Sequence, residues 1–280
     1  MTFAQKLVLK YLRAKLNITA VVSEKKAAEK AFKLFCTPQQ AKKKKLHRVP
    51  EKGEKLSFTL NGLTIRGQRW NHPQQQKVLI IHGFESSYQY FDKYIAAFIR
   101  KGYEVIAFDA PAHGRSDGKQ LTLPLYIAML QKIYELYGPV ARFMAHSLGG
   151  LALTHFLETI PHTTDTKVVL LAPATETVSA VDAFFNQLEL HDNIRKQFDE
   201  LILNIAGVPP EYFSIKRAMY HIRAQVLWFH DEGDRATPVK DAIEVQKDQH
   251  AHLELVITQG LGHRKVYKDE AVRKRILEFL

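Results

Sequence analysis

Short apolar segments alternate along this chain with longer segments of helical periodicity, and this alternation constrains the fold more than any other feature. Six segments have the composition of buried strands: Lys77–Ile81, Tyr103–Asp109, Ala141–His146, Lys167–Leu171, Gln225–His230 and Leu253–Thr258. Strands that are apolar on both faces and separated by helices form a mostly parallel sheet with helices packed on both sides. The alternation therefore predicts an α/β fold.

Two further segments predict an antiparallel hairpin at the start of the sheet. Leu56–Leu60 and Leu63–Trp70 alternate apolar and polar residues, and Asn61-Gly62 joins them. An Asn-Gly pair accepts the positive φ angles of a tight two-residue turn. The expected fold is thus a mostly parallel twisted sheet with an antiparallel N-terminal hairpin, helices on both faces and a helical cap insertion. The helices of this core are expected at Tyr88–Arg100, Thr122–Tyr137, Leu148–Thr159, from about Val239, and at Arg264–Leu280.

The interval 174–224 interrupts the alternation. It contains helical segments and no convincing strand, and six aromatic residues: Phe184, Phe185, Phe198, Tyr212, Phe213 and Tyr220. An insertion between two strands of such a sheet is typical of a cap over its carboxyl edge, where open α/β sheets bind ligands. The sequence predicts three parts: a basic helical N-terminal extension at 1–55, a core at 56–173 plus 225–280, and a cap at 174–224.

The net charge of +11 belongs to the N-terminal extension. Residues 1–55 contain 13 Lys and 2 Arg against 4 Glu, whereas the remaining residues contain 25 basic and 25 acidic side chains. Helical patterns at 3–16 and Glu24–Phe35, followed by the lysine run Lys42–Lys45, have two interpretations. The extension either packs on the main body with a solvated basic face or contacts anionic lipid. Nucleic-acid binding through residues 1–55 is the weakest interpretation, because the core is neutral.

Several sequence features bear on the compartment and on cofactors. No stretch approaches the ~18–20 apolar residues of a membrane span, and lysines interrupt the apolar pattern where a signal peptide would be continuous. The single cysteine, Cys36, excludes an internal disulfide framework and is interpreted as an apolar filler. We therefore expect a cytoplasmic protein. Without Cys-x-x-Cys, His-Glu-x-x-His, Gly-x-Gly-x-x-Gly or phosphate-loop motifs, neither a metal nor a cofactor is expected.

The segment Ala145-His146-Ser147-Leu148-Gly149-Gly150 carries the strongest chemical pattern. It follows an apolar strand and opens a helix, so a sharp turn would project the Ser147 hydroxyl above the sheet beside a helix N-terminus. Small residues two positions before and after the serine allow strand and helix to approach closely, and Ala145 stands where glycine is usual. The alternative interpretation makes Ser147 only a helix cap or a turn residue.

From Leu56 to Leu280 the chain resembles the α/β-hydrolase superfamily. The quoted serine segment is one of four motifs in the family's order, and the others are Ile81-His82-Gly83-Phe84, the segment 108–116, and the pair His230–Pro238 with Gly262-His263. The segment 108–116 resembles the family's D-x-P-G-H-G-x-S loop, with Ala112 in place of the glycine. An aspartate at the position of Ser147 would instead indicate a dehalogenase or an epoxide hydrolase.

The resemblance implies which residues carry the chemistry. It implies a nucleophile at Ser147, a base at His263, and an oxyanion hole formed by the backbone amides of Phe84 and Leu148. The family places the acid four residues before a proline, which selects Asp234. Asp231 remains an alternative that could instead bind loop amides, and Glu232 is the third carboxylate of this segment.

Three further histidines stand in the same motifs and are not expected to be the base. His82 and His113 lie in loops that the family uses to build the pocket rim, and His146 occupies the variable position before the serine. The glycine-flanked position of His263 after the last strand favours it over these three.

The predicted activity is that of a serine hydrolase that cleaves a carboxylic ester of a small, apolar substrate through an acyl-enzyme. The same residues could cleave a thioester or a carbon–carbon bond next to a carbonyl, since fold does not decide substrate. A hypothesis from another class is a non-catalytic small-molecule-binding protein of the same fold, tethered to a membrane by residues 1–55.

Overall fold

The computed structural model describes residues 3–39, 49–50 and 52–280, with side chains from Leu7 onward in the first helix. The lysine run Lys42–Lys45 lies outside the described residues. In the described ranges, no helix has the length and apolar character needed to cross a membrane.

One eight-stranded sheet forms the framework. Its strands are β1 (Glu54–Leu60), β2 (Leu63–Trp70), β3 (Lys77–Ile81), β4 (Glu104–Phe108), β5 (Arg142–His146), β6 (Lys167–Leu171), β7 (Gln225–Asp231) and β8 (Leu253–Thr258). They are ordered β1-β2-β4-β3-β5-β6-β7-β8, and every pair from β4 to β8 is parallel. The mostly parallel α/β sheet expected from the sequence is confirmed.

The first two strands form the antiparallel hairpin that the sequence predicts. Leu60 pairs with Leu63, which leaves Asn61 and Gly62 as the only residues of the turn. Their φ angles are 48° and 76°, so both adopt the left-handed conformation that a two-residue hairpin of this type requires.

Eleven α-helices accompany the strands in the described residues. They are α1 (Phe3–Val22), α2 (Glu24–Cys36), α3 (Asp92–Arg100), α4 (Leu123–Tyr137), α5 (Leu148–Leu157), α6 (Thr177–Leu188), α7 (Asp192–Ala206), α8 (Ile215–Met219), α9 (Val239–Gln246), α10 (Gly262–Lys265) and α11 (Glu270–Phe279). The expected single closing helix at 264–280 is wrong, because α10 and α11 are separate. The residues between these two helices are not helical. Asp269 is the N-cap of α11, and its side chain accepts a hydrogen bond from the N–H of Val272.

Two apolar layers cover the two faces of the sheet. Along β3, Leu79 and Ile81 face one layer while Val78 and Ile80 face the other. The first layer includes buried side chains of α4, α5 and α9, and the second includes those of α3 and α11. Because both faces are buried, the strand ends are left as the place where polar side chains collect.

The chain divides into two compact units. The residues up to Thr37 and Glu176–Ser214 form one, and Pro38–Thr175 with Ile215–Leu280 form the other. The sequence treated 1–55 and 174–224 as separate parts, whereas contacts group α1 and α2 with α6 and α7. Aromatic rings of the insertion explain this grouping, since Phe35 packs edge-on against Phe184 and Phe198 at 5.2 and 5.7 Å between ring centroids. The position of the insertion as a cap stays a prediction.

Two buried histidines tie together the loops that follow β3 and β4. His82 donates from Nδ1 to the carbonyl of Gly83 (2.7 Å) and accepts the N–H of Ala110 at Nε2 (2.9 Å). His113 donates from Nδ1 to the carbonyl of Pro111 (2.8 Å) and accepts the N–H of Glu85 at Nε2 (3.0 Å). Each ring needs one protonated nitrogen to donate and one unprotonated nitrogen to accept, and only neutral imidazole provides both.

Burial enforces the neutral form of both rings. Desolvation lowers the pKa of His82 to about 4, and it does the same for His113, where the neighbouring His82 adds to the effect. Protonation of either ring would place a donor against a backbone N–H in a buried site. The two loops therefore depend on uncharged histidines.

This dependence predicts a loss of stability in mild acid. The folded pKa values lie below the reference of 6.5, so the unfolded chain binds protons first, and the free energy of unfolding falls as pH decreases from about 6.5 toward 4. His113→Gln keeps a donor and an acceptor but cannot be protonated. We expect it to reduce the slope of this free energy against pH between pH 6 and 4.5 by about 1.4 kcal/mol per pH unit, the contribution of one proton.

Urea denaturation at a series of pH values measures this slope. His221→Gln, at an exposed position, is the matched control and should leave the slope unchanged. A slope in His113→Gln equal to that of the wild type would contradict a neutral, loop-binding His113.

Candidate active site

Ser147 lies in a sharp turn between β5 and α5. Its backbone has φ 55° and ψ −127°, a conformation that residues other than glycine rarely adopt. Backbone hydrogen bonds hold it there, because its N–H donates to the carbonyl of Leu171 (3.1 Å) and its carbonyl accepts from Gly150 (2.8 Å) and Ala174 (3.1 Å). Strained residues persist where their surroundings fix them, and they concentrate at functional sites.

The loop after β3 approaches this turn so closely that glycine is needed on both sides. A Cβ added at Gly83 would lie 2.7 Å from the Cβ of Ser147, and one at Gly149 would lie 2.4 Å from the carbonyl oxygen of His82. The small residues expected around the serine are thus explained by contact with this loop. Ala145, where glycine is usual, is fully buried in β5 and pairs with Ile81.

The predicted amide donors belong to the two segments that meet here. Leu148 is the first residue of α5, so its N–H has no acceptor within the helix. Phe84 follows Gly83 directly. In the part of the chain that the structure describes, neither N–H takes part in an assigned hydrogen bond. Two backbone donors therefore remain available next to the turn that carries Ser147.

A line of hydrogen bonds joins three side chains that are distant in sequence. Nε2 of His263 lies 3.0 Å from Oγ of Ser147, and Nδ1 of His263 lies 2.8 Å from Oδ2 of Asp234. Ser147 follows β5, Asp234 follows β7, and His263 stands in α10 after β8. The sequence-predicted nucleophile, base and acid are brought together in that order.

The surroundings of Asp234 stabilise its ionised form. Its side chain is fully buried, Oδ1 accepts the N–H groups of Ala236 (2.8 Å) and Thr237 (3.0 Å), and Oδ2 accepts the hydroxyl of Thr237 (2.9 Å). Burial alone would raise the pKa of this carboxyl. The hydrogen bond from His263, with the two amides, more than offsets it and lowers the pKa to about 2. A carboxylate here requires a proton on Nδ1 of His263, which leaves Nε2 to accept from Ser147.

The other two carboxylates of the segment have different partners. Asp231 accepts the hydroxyl of Thr258 (3.0 Å) and the N–H groups of Leu261 (2.9 Å) and Gly233 (3.0 Å). Although burial opposes it, these donors lower the pKa of Asp231. It thus binds loop amides and fixes the segment that leads to His263. Glu232 is exposed and accepts from the side chain of Gln259.

His146 has a positioning contact that the sequence did not suggest. Its Nε2 donates to the backbone carbonyl of His263 (3.0 Å), and the two rings lie 4.7 Å apart between centroids. Burial, and then the charge of His263, lower the pKa of His146 to about 3, so it stays neutral. This bond ties the segment that carries His263 to the residue before Ser147. The one sequence signal for this positioning role was the place of His146 next to Ser147, at the end of a buried strand.

His230 supports the site through its contact with Thr237. Its Nδ1 accepts the indole N–H of Trp228 (3.2 Å), and its Nε2 donates to the carbonyl of Thr237 (2.8 Å). This holds Thr237, which in turn binds Asp234. Within the described ranges, no three His, Cys, Asp or Glu side chains are grouped as metal ligands would be. Cys36 is buried in α2, where desolvation raises the pKa of its thiol to about 12, which fits an apolar filler.

Comparison with known proteins gives partial sequence matches. A family model described as serine aminopeptidase, S33 matches residues 72–202, a range that includes Ser147 and ends before Asp234 and His263. An uncharacterized hydrolase, YugF, from Bacillus subtilis (strain 168) is 29% identical over 97 residues, which are 33% of this chain and 35% of that protein. The chain thus matches about a third of that relative's length.

Solved structures resemble the chain over most of its length. The esterase Pf2001 of Pyrococcus furiosus superposes with a TM-score of 0.62 at 18% identity, covering 87% of this chain and 95% of that one. Alpha/beta hydrolase domain-containing protein 10 from mouse gives 0.58 at 18% identity, covering 80% and 95%. The thioesterase domain from the curacin biosynthetic pathway gives 0.58 at 17% identity, covering 81% and 100%. These superpositions establish a common fold.

The family model and this relative are both described as hydrolases, and each matches less than half of the chain. The strand order, the turn at Ser147 and the similar solved structures together show that the chain has the fold of the α/β-hydrolases.

Proposed function

We propose that this protein is a serine hydrolase that cleaves a carboxylic ester of a small, apolar substrate through an acyl-enzyme. The observation that carries the proposal is the hydrogen-bonded line from Asp234 through His263 to Ser147. A serine hydroxyl is a weak nucleophile until a base accepts its proton, and the base must itself be oriented. Two hydrogen bonds supply both, since His263 contacts the hydroxyl of Ser147 and Asp234 contacts His263.

The first half of the reaction forms the acyl-enzyme. Oγ of Ser147 attacks the ester carbonyl while Nε2 of His263 takes its proton. The carboxylate of Asp234 stabilises the resulting imidazolium without itself being protonated. The N–H groups of Phe84 and Leu148 stabilise the negative charge that develops on the carbonyl oxygen. The imidazolium then returns the proton to the leaving alkoxide, which departs as the alcohol.

The second half releases the acid. Water replaces the alcohol, and Nε2 of His263 takes a proton from it as its oxygen attacks the acyl carbon. The same two amides stabilise the second tetrahedral intermediate. Its collapse breaks the bond to Oγ, which receives the proton back from His263. The ester and one water have become an acid and an alcohol, and the enzyme is restored.

The apolar surroundings of Ser147 favour an apolar acyl group. Phe84 and Leu148 are half-buried and pack against the apolar layer that includes α4 and α5. An ester is the first choice of substrate because it needs no charged group to recognise it. The esterase among the structural neighbours agrees with this choice, and the thioesterase domain makes thioesters the nearest competing substrates.

Removal of the Ser147 hydroxyl should abolish turnover. We expect Ser147→Ala to lower kcat for hydrolysis of p-nitrophenyl butyrate by about 10⁴-fold or more, because no nucleophile remains to form the acyl-enzyme. The wild type, and not the variant, should react covalently with a fluorophosphonate, as shown by a mass increase on Ser147. Thermal unfolding should show that the variant is folded.

The same assay separates the alternatives. Wild-type protein that neither turns over esters nor reacts with the fluorophosphonate would contradict the proposal and favour the non-catalytic binding protein. Thioesters, a substrate with a carbon–carbon bond next to a carbonyl, and aminoacyl anilides are tested beside esters of increasing acyl length. Faster turnover of any of these than of every ester would overturn the ester as substrate class while leaving Ser147 as nucleophile.

A pair of aspartate variants tests which carboxylate orients the base. Asp234→Asn should lower kcat by about 10³–10⁴-fold, because an amide can neither stabilise the imidazolium nor enforce the tautomer of His263. Asp231→Asn removes a carboxylate that binds the loop amides of Leu261 and Gly233. We expect it mainly to lower the thermal unfolding midpoint, with a much smaller loss of kcat. If Asp231→Asn lost more kcat than Asp234→Asn, the assignment of the acid would be wrong.

A further inference from the structure

The outer face of α1 is apolar and open to solvent. Thirteen large hydrophobic residues are exposed in the described part of the chain, and six of them belong to this one helix. They are Leu7, Val8, Tyr11, Ile18, Val21 and Val22, with exposed fractions from 56% to 89%. Scattered exposed apolar residues are ordinary, but such a concentration on one element marks an interaction surface.

The exposed residues form a continuous stripe. Leu7, Tyr11, Ala14, Ile18 and Val22 follow one another at intervals of three or four residues, and all five are exposed. This spacing aligns them along one face of the helix. We call this stripe, with Val8 and Val21 at its borders, the outer face of α1.

The opposite face of α1 is already occupied. Leu16 is buried in a cluster with Phe185 and Phe198, and Leu9 and Leu12 pack against the same cluster. This packing anchors the helix to its own compact unit. The outer face therefore takes no part in the packing of this unit. We infer that its apolar residues serve to bind a separate partner.

Positive charge accompanies the apolar stripe. The sequence of α1 contains Lys6, Lys10, Arg13 and Lys15 and no acidic residue. Lys10 and Lys15 are exposed, and their positions on the helix fall on either side of the stripe. Arg13 differs because it forms an ion pair with Glu189. The residues beside the outer face thus favour a partner that is apolar and negatively charged.

We propose that the outer face of α1 binds the surface of a bilayer that contains anionic phospholipid, with the helix axis parallel to the membrane. Apolar side chains would enter the boundary between headgroups and acyl chains while the lysines contact lipid phosphates. A second copy of this chain fits less well, because two such helices would bring like charges together. The helix lies on the surface rather than spanning it, since its own charges interrupt the apolar stretch.

Vesicle binding tests the proposal on the full-length protein. Co-sedimentation is measured with vesicles of phosphatidylcholine alone and with vesicles that also contain phosphatidylglycerol. We expect binding to the anionic vesicles only, and weakening at about 1 M salt, where the screening length is about 3 Å. No binding to anionic vesicles at low salt, or equal binding to both kinds, would overturn the proposal.

Two pairs of substitutions separate the apolar and the charged contributions. Ile18→Ser with Val22→Ser should weaken binding by at least about tenfold, because two exposed apolar side chains no longer enter the bilayer. Lys10→Gln with Lys15→Gln should weaken it by about fivefold per residue. All four side chains are exposed, so thermal unfolding should be unchanged.

Matched controls come from the other compact unit. Leu136→Ser removes an apolar side chain that is 45% exposed in α4, and Lys93→Gln with Lys119→Gln removes two exposed charges. These variants should bind anionic vesicles like the wild type. Equal weakening by either control would show that binding is not specific to this helix and would overturn the assignment to α1. Light scattering gives a second test. A dimeric wild type together with a monomeric Ile18→Ser, Val22→Ser variant would show that the outer face of α1 binds a second copy of the chain, and would overturn the proposal.

Discussion

The position of His263 depends on hydrogen bonds to three separate parts of the chain. Its ring binds Asp234, its backbone carbonyl accepts from His146, and the segment before it is held where Leu261 donates to Asp231. A four-residue helix such as α10 cannot fix a side chain by itself, since short helices are marginal without tertiary contacts. These contacts bring the imidazole within hydrogen-bond distance of Ser147, and the proposed chemistry depends on that distance.

Burial divides the histidines of this region into two kinds. His82, His113, His146 and His230 are almost completely buried, and desolvation lowers the pKa of each. His82, His113 and His230 use their two nitrogens as a fixed donor and a fixed acceptor, whereas His146 uses Nε2 as a donor to the carbonyl of His263. The side chain of His263 is 17% exposed, and its Nε2 faces a hydroxyl instead of a backbone group. Of these five rings, it is the one whose Nε2 contacts the hydroxyl of Ser147.

The sequence predicted the features that depend on local patterns. The turn at Asn61-Gly62 needs only two residues that tolerate positive φ, and both strands beside it begin and end close to their expected positions. The order of Ser147, Asp234 and His263 was implied by the family resemblance, and it agrees with the topology because each follows a strand and parallel strands bring their carboxyl ends to one edge. Their meeting within hydrogen-bond distance is reported by the structure alone.

Features that depend on distant partners were not predicted. The apolar periodicity at 264–280 is compatible with one continuous helix. It gave no indication that the side chain of Asp269 caps a new helix there and so interrupts the pattern. Nor could the sequence pair α2 with the insertion, since the ring contacts of Phe35 join residues about 150 positions apart. The bond from His146 to His263 spans 117 residues and uses a backbone carbonyl, which leaves no trace in the side-chain pattern.

Charge and chemistry are assigned to different parts of the molecule. The proposed nucleophile, base and acid all belong to one compact unit, whereas α1 belongs to the other. The basic excess lies in residues 1–55, and the rest of the chain is neutral by side-chain count. A neutral core agrees with an uncharged substrate, because attraction of an anionic one would call for basic side chains around the site. The two proposals therefore depend on different residues and different forces, so failure of one leaves the other standing.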